Sequence, residues 1–145
     1  MRYYGALSLL VLSGSLGLQA QVTWKRTYGG LDADRAASVR ETADGGAIIC
    51  GSTGSFGDSG DAYVVKVDGN GMIEWSRSIG GPSVEIGSMA VQLSDGGYII
   101  AGTTNSGGAG GYDGFLARLD DTGSTLWERT YGSASWDLVH ALDAL

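Results

Sequence analysis

Tryptophan returns at Trp24, Trp75 and Trp127, at separations of 51 and 52 residues, and each time it opens the same short phrase. The three phrases are Trp24-Lys-Arg-Thr-Tyr-Gly-Gly30, Trp75-Ser-Arg-Ser-Ile-Gly-Gly81 and Trp127-Glu-Arg-Thr-Tyr-Gly-Ser133. The agreement runs on through Asp44-Gly-Gly-Ala-Ile-Ile-Cys-Gly-Ser-Thr53 against Asp95-Gly-Gly-Tyr-Ile-Ile-Ala-Gly-Thr-Thr104. After one inserted residue it resumes with Asp61-Ala-Tyr-Val-Val-Lys-Val-Asp68 against Asp113-Gly-Phe-Leu-Ala-Arg-Leu-Asp120. A fixed period of this size implies one supersecondary unit used again and again, as in a solenoid, a propeller or an array.

Each unit reads as four short strands. The first unit predicts strands near 35–42, 46–53, 61–68 and 72–79, and the second near 86–93, 97–104, 113–120 and 124–131. Residues 22–29 and 138–143 are then surplus strands at the two ends. Alternation is clearest in the third strand, where Tyr63, Val65 and Val67 share one face and Lys66 and Asp68 the other, a pattern that Phe115, Ala117 and Leu119 repeat against Arg118 and Asp120. The second strand is apolar on both faces at Ile48-Ile49-Cys50 and Ile99-Ile100-Ala101, as expected of a sheet stacked between others. Asp44-Gly-Gly46, Asp95-Gly-Gly97 and Asp68-Gly-Asn-Gly71 supply hairpin turns. With 26 glycines and one proline in 145 residues, an all-helical chain is excluded by helix propensity and collagen by the lack of a three-residue period.

Four antiparallel strands in about 51 residues match one blade of a β-propeller. The run Leu119-Asp-Asp-Thr-Gly-Ser-Thr-Leu-Trp127 resembles the tryptophan-docking turn of quinoprotein-type propeller repeats. The whole pattern of Trp, Gly-Gly, Asp-Gly-Gly, Ile-Ile-x-Gly-x-Thr and Asp, spread over 22–145, resembles the repeats of secreted bacterial surface β-propeller proteins. That resemblance implies an all-β fold and carries little about chemistry. Propellers close with about four to eight blades, whereas this sequence holds two and a surplus strand at each end. The expectation is therefore an incomplete propeller: the N-terminal part of a longer protein, or a protomer that closes by self-association.

The first twenty residues have the layout of a secretory signal, with Arg2 at the charged end, a mostly apolar stretch from Ala6 to Leu18, and expected cleavage after Ala20. Residues 21–145 then form the domain, unanchored at its N-terminus and without a span of the roughly 20 apolar residues a bilayer requires. Without Arg2, eight basic residues face sixteen acidic ones, which argues against nucleic acid as a partner. Cys50 is the only cysteine, so no internal disulfide forms, and its alignment with Ala101 marks it as a small core residue.

The search for chemistry yields little. His140 is the only histidine and lacks the partners that a relay or a zinc site needs. Asp58, Asp61, Asp68 and Asn70 are the nearest concentration of calcium-type oxygens, but turn chemistry accounts for them as well. Arg26, Arg77 and Arg129 fall two residues after each tryptophan and so on its face of the strand, where ring stacking or pairing with a repeated carboxylate would fix the geometry. The tryptophans themselves read as docking residues of the core. Loops 54–60 and 105–112 differ between units, and Phe56, Asp58, Tyr112 and Trp136 are the candidates there for binding, aromatics being suited to stacking on sugar rings. The expected function is a non-catalytic, exported binding or surface scaffold module, with no cofactor and with an unknown protein or glycan as partner. The alternatives are part of a quinoprotein-type propeller enzyme and a carbohydrate-binding propeller.

Overall fold

A computed structural model describes residues 24–143. The signal segment proposed for residues 1–20 lies outside the described residues. Eight strands and no helices are found among those described: β1 (Asp34–Glu41), β2 (Ala47–Thr53), β3 (Asp61–Val67), β4 (Ile73–Ile79), β5 (Glu85–Gln92), β6 (Tyr98–Thr104), β7 (Asp113–Leu119) and β8 (Thr125–Tyr131). They form two antiparallel four-stranded meanders, β1-β2-β3-β4 and β5-β6-β7-β8. The eight strands expected within the two units are all present, with ends shifted by a residue or so. Even the irregularities coincide, since register shifts fall at Ala36/Ser38 and Gly87/Met89, and again at Lys66/Val67 and Arg118/Leu119.

The sheets are joined face to face. Ile48, Cys50, Ala62, Val64 and Ile79 of the first sheet meet Ala90, Tyr98, Ile100, Phe115, Ala117 and Leu119 of the second in one buried cluster, with Trp75 packed against it. Strand β5 lies across β1, β2 and β3. It comes this close because Gly87 has no side chain: a Cβ there would sit 2.6 Å from the Gly51 carbonyl oxygen and 2.7 Å from Cys50 Sγ. Eleven buried apolar side chains in one contiguous cluster are the main source of stability, at about 1.5–3 kcal/mol for each fully buried large aliphatic one before entropy is counted. Cys50 is fully buried there, and burial pushes its thiol up to about 12.

Two expectations are corrected. The surplus strands at 22–29 and 138–143 are not strands where the structure describes them: 24–30 and 132–143 lack the regular ladder that defines one. A strand needs a neighbour with matching backbone groups, and these segments are held by scattered contacts instead. The Trp24 indole N–H donates to the Gly69 carbonyl (3.1 Å), and the Tyr28 hydroxyl to that of Gly71 (2.9 Å). At the other end the Ser88 hydroxyl donates to the Val139 carbonyl (2.7 Å). His140 is exposed in that second segment.

The second correction concerns Lys66, which alternation assigns to a polar face. It is almost fully buried, because its face of β3 is the one turned towards the second sheet. Its ammonium reaches Asp44 (2.7 Å), Glu74 (2.6 Å) and the Val67 carbonyl (3.0 Å), and so ties the β1–β2 turn to the β3–β4 hairpin. Arg118 makes the equivalent tie to Asp95 in the second sheet (2.6 Å).

Candidate functional site

The antiparallel order puts two kinds of connection at opposite ends of the sheets. One end carries the tight turns 42–46, 68–72, 93–97 and 120–124. The other carries the longer connections 54–60, 80–84 and 105–112, together with 132–136. Every loop candidate named from sequence, Phe56, Asp58, Tyr112 and Trp136, falls at this second end.

The loops there are held by carboxylates at the strand ends. Asp34, at the start of β1, accepts hydrogen bonds from the Thr53 hydroxyl, the Gly30 amide (2.8 Å) and the Ser55 hydroxyl (2.8 Å). The Thr53 hydroxyl, then the Gly30 amide, hold its carboxyl below the usual range. Glu85 takes the same place on β5, accepting from the Gly81 amide (2.8 Å) and the Thr104 hydroxyl (2.6 Å). Asp137 does so for the Ser133 amide (2.7 Å). These acids are spread along the sequence yet do one local job: each closes the glycine-containing turn that follows a tryptophan segment.

Asp61 and Asp113, at the starts of β3 and β7, are also buried, and each leaves its Oδ1 without a hydrogen-bond partner. Ala109 donates its amide to Asp113 Oδ2 (2.9 Å). Around Asp61, a Cβ on Gly80 would lie 2.6 Å from Asp61 Oδ1 and 2.5 Å from Glu85 Oε2, so the two carboxylates approach within about 5 Å. Desolvation, then the charges of Glu85 and Asp58, raise the carboxyl of Asp61. Desolvation, then Glu85, likewise raise Glu128 across the cleft. That cleft, about 220 Å³ between the sheets, is lined among others by Ile79, Gly80, Glu85, Thr104, Phe115 and Glu128.

Each loop aromatic has a ring neighbour, on β3 for Phe56 and in a loop for Tyr112 and Trp136. Phe56 packs on Tyr63 with ring centroids 5.2 Å apart, and Tyr112 meets Trp136 edge-on at 5.1 Å. Trp136 nevertheless exposes 69% of its surface, and Asp58 is exposed as well. The calcium-type concentration proposed around Asp58, Asp61, Asp68 and Asn70 is divided, because β3 separates the first two from the last two by its whole length. Asp68 instead accepts the amides of Asn70 (2.9 Å) and Met72 (2.8 Å) in its own turn. Among the described residues no group of three or more His, Cys, Asp or Glu side chains is placed to hold a metal.

The recurrent tryptophans, with Arg77, engage the tight turns of the opposite end, whereas Arg129 also lines the cleft. Trp75 is half-buried, meets Tyr98 edge-on at 5.3 Å and lies over Gly123 in the β7–β8 turn. Trp24 lies over Gly71 in the β3–β4 turn. Arg77 donates to the carbonyls of Ser76 (2.7 Å) and Thr122 (3.4 Å), and Arg129 lies over the Trp127 ring at 5.2 Å. The ion pairs found among the described residues use Lys66 and Arg118, not Arg26, Arg77 or Arg129. Sequence reading missed the loop-closing role of Asp34, Glu85 and Asp137; the signal was there in their recurrence four residues after Gly30, Gly81 and Ser133.

No protein-family model matches the chain, and no curated protein matches it.

Proposed function

We propose that this chain is a non-catalytic, exported module that binds a glycan or protein at the loop end of propeller-type blades and so serves as a surface scaffold. The observation that carries this reading is the contrast between frame and loops. The two meanders share strand order and register, while the loops at one end differ and present paired aromatics, with Trp136 largely in water. A large aromatic held in place by a neighbouring ring but left exposed suits stacking on a sugar ring or on a partner's apolar side chain. The blade reading is supported by the face-to-face meanders and by the seating of Trp75 on a turn of the next sheet. The acids at this end already hold loops together, which favours a shaped binding surface over acid–base chemistry.

The test is a binding screen of the secreted chain against surface polysaccharides and cell-envelope proteins, without any turnover assay. Trp136→Ala and Phe56→Ala are expected to weaken binding at least tenfold and to leave the melting temperature almost unchanged. Binding that survives both substitutions overturns the loop-end site. Export is checked separately by N-terminal sequencing of the secreted product, expected to begin at Gln21.

A further inference from the structure

Three segments carry the same docking phrase, and two of them are seated. Trp24 rests on Gly71, whose Cβ, were it present, would lie 2.7–2.8 Å from the ring, and the Trp24 indole and the Tyr28 hydroxyl bond the carbonyls of Gly69 and Gly71. Trp75 rests on Gly123 in the same manner, at 2.6–3.0 Å, with Arg77 bonding the Thr122 carbonyl of that turn. Positive φ at Gly71 (73°) and Gly123 (80°), and the missing side chain, make each turn a flat seat for an indole. Beneath Trp127 no such turn lies among the described residues. Exposure does not separate it from the seated Trp24 (37% against 39%); what differs is the missing turn, and Leu126 and Tyr131 beside it are more exposed still, with Arg129 folded over the ring.

The unseated strand is nearly a copy of the first seated segment. Trp127, Arg129, Thr130, Tyr131 and Gly132 match Trp24, Arg26, Thr27, Tyr28 and Gly29 at identical spacing. The faces match too. The side of the first sheet that bears Ile49, Tyr63 and Val65 corresponds to the side of the second that bears Ile100, Phe115 and Ala117. The side of the second sheet that bears Ile99 and Leu116 corresponds to the side of the first that bears Ile48 and Val64. Ile48 and Val64 meet Ile100, Phe115 and Ala117 inside the molecule, so the two outer faces are the two halves of an interface the chain already makes. Ile49, Tyr63, Ile99 and Leu116 are only half-buried, and Val39 on β1 is 64% exposed where its counterpart on β5, Ala90, is fully buried.

We propose that a second copy of this chain occupies these faces: β8 of one copy takes, on the first sheet of the next, the seat that residues 24–29 hold within each isolated copy. Segment 24–29 is then a removable plug, and residues 137–142, which press Val139 against Gly114, give way to β1 of the incoming copy. The contact is head to tail, so it propagates into a ring or an open filament according to the rotation per copy. The exchanged side chains are nearly identical, which leaves the added sheet-on-sheet burial as the driving force. This inference rests on the stacked-blade reading and adds the partner.

The test is sedimentation velocity across a concentration series on the secreted chain and three variants. The wild type is expected to associate weakly. Trp24→Ala, which empties the seat, is expected to tighten association at least tenfold, and Trp127→Ala to abolish it. The Trp24→Ala/Trp127→Ala double variant is expected to stay monomeric, and a synthetic peptide of residues 24–30 to dissociate the Trp24→Ala oligomer. Association of the double variant as strong as that of Trp24→Ala overturns the proposal, because it reports unspecific contact of an uncovered sheet. A Trp24→Ala variant no more associated than wild type also overturns it. If that variant keeps cooperative unfolding and loop-end binding, only the partner is wrong; if Trp75→Ala leaves cooperative unfolding untouched, the stacked-blade reading itself fails.

Discussion

Asp61 is buried, with its Oδ1 out of water and without a hydrogen bond, and Glu85 lies within about 5 Å. Its charge is therefore a cost to the fold at neutral pH, which is what its raised carboxyl reports. Asp61→Asn keeps the shape, keeps an oxygen for the loop amide and removes the repulsion. We expect it to raise the melting temperature at pH 7 by about 2–6 °C, and by less at pH 4, where the native carboxyl is partly protonated. Thermal denaturation of the two proteins at both pH values checks this. An unchanged or lowered melting temperature at pH 7 would mean that a partner we have not identified satisfies Oδ1. Sequence marked Asp61 and Asp113 as recurrent but gave no sign that they are buried, since an aspartate at a strand end is ordinarily a solvated turn residue.

Strand β5 shows how one position sets the distance between elements. Gly87 aligns with Ala36 of β1, yet only Gly87 is pressed against another sheet. Gly87→Val would drive a side chain into the Gly51 carbonyl and Cys50 Sγ, and overpacking of that sort costs about 1–3 kcal/mol. The matching change Ala36→Val, on an exposed strand, is expected to stay within about 0.5 kcal/mol. Urea unfolding of both variants makes the comparison, and equal losses would sink this account of the inter-sheet contact. Strand existence was legible because hydrophobic alternation and Asp-Gly-Gly turns are local signals. The role of Gly87 was not, because close approach between strands distant in sequence leaves no trace in periodicity. The same limit applies to residues 24–30 and 137–143, whose residue pattern is strand-like but which form no regular ladder.

Across the whole molecule the acidic excess, a formal charge of −7, is tied into the fold and not merely spread over it. Asp34, Asp44, Asp68, Asp95 and Asp120 all have carboxyls held low, by the Thr53 hydroxyl, the Lys66 ammonium, the Met72 amide, the Gly97 amide and the Thr122 hydroxyl respectively. Groups depressed in the folded state stabilise it above their unfolded pKa, about 3.9, and that stabilisation is lost as pH falls below it. Asp61 and Glu128, both raised, act in the opposite sense, so their protonation favours the fold as pH drops from neutral towards 4. Stability should therefore peak on the weakly acid side of neutral and fall steeply below about pH 4. Lys66→Met removes the largest influence on Asp44 and should flatten the acid limb while lowering stability at pH 7. Melting temperatures from pH 2 to 8 for both proteins check the shape, and identical acid limbs would count against the Lys66 tie.

Sequence alone settled the strand content, the turns and the spacing of the docking tryptophans, because each depends on side-chain alternation or backbone freedom within a few residues. It could not say which face of a sheet meets another, and so it assigned Lys66 to a polar face. Nor could it show that Asp34, Glu85 and Asp137 close loops, or that the near-identical phrases at Trp24 and Trp127 have different fates. Those outcomes depend on what lies opposite each residue in space. A buried ammonium is tolerated where two carboxylates and a carbonyl surround it, and an indole is seated where a bare glycine turn faces it. Only the stacking of the two sheets decides where such partners meet.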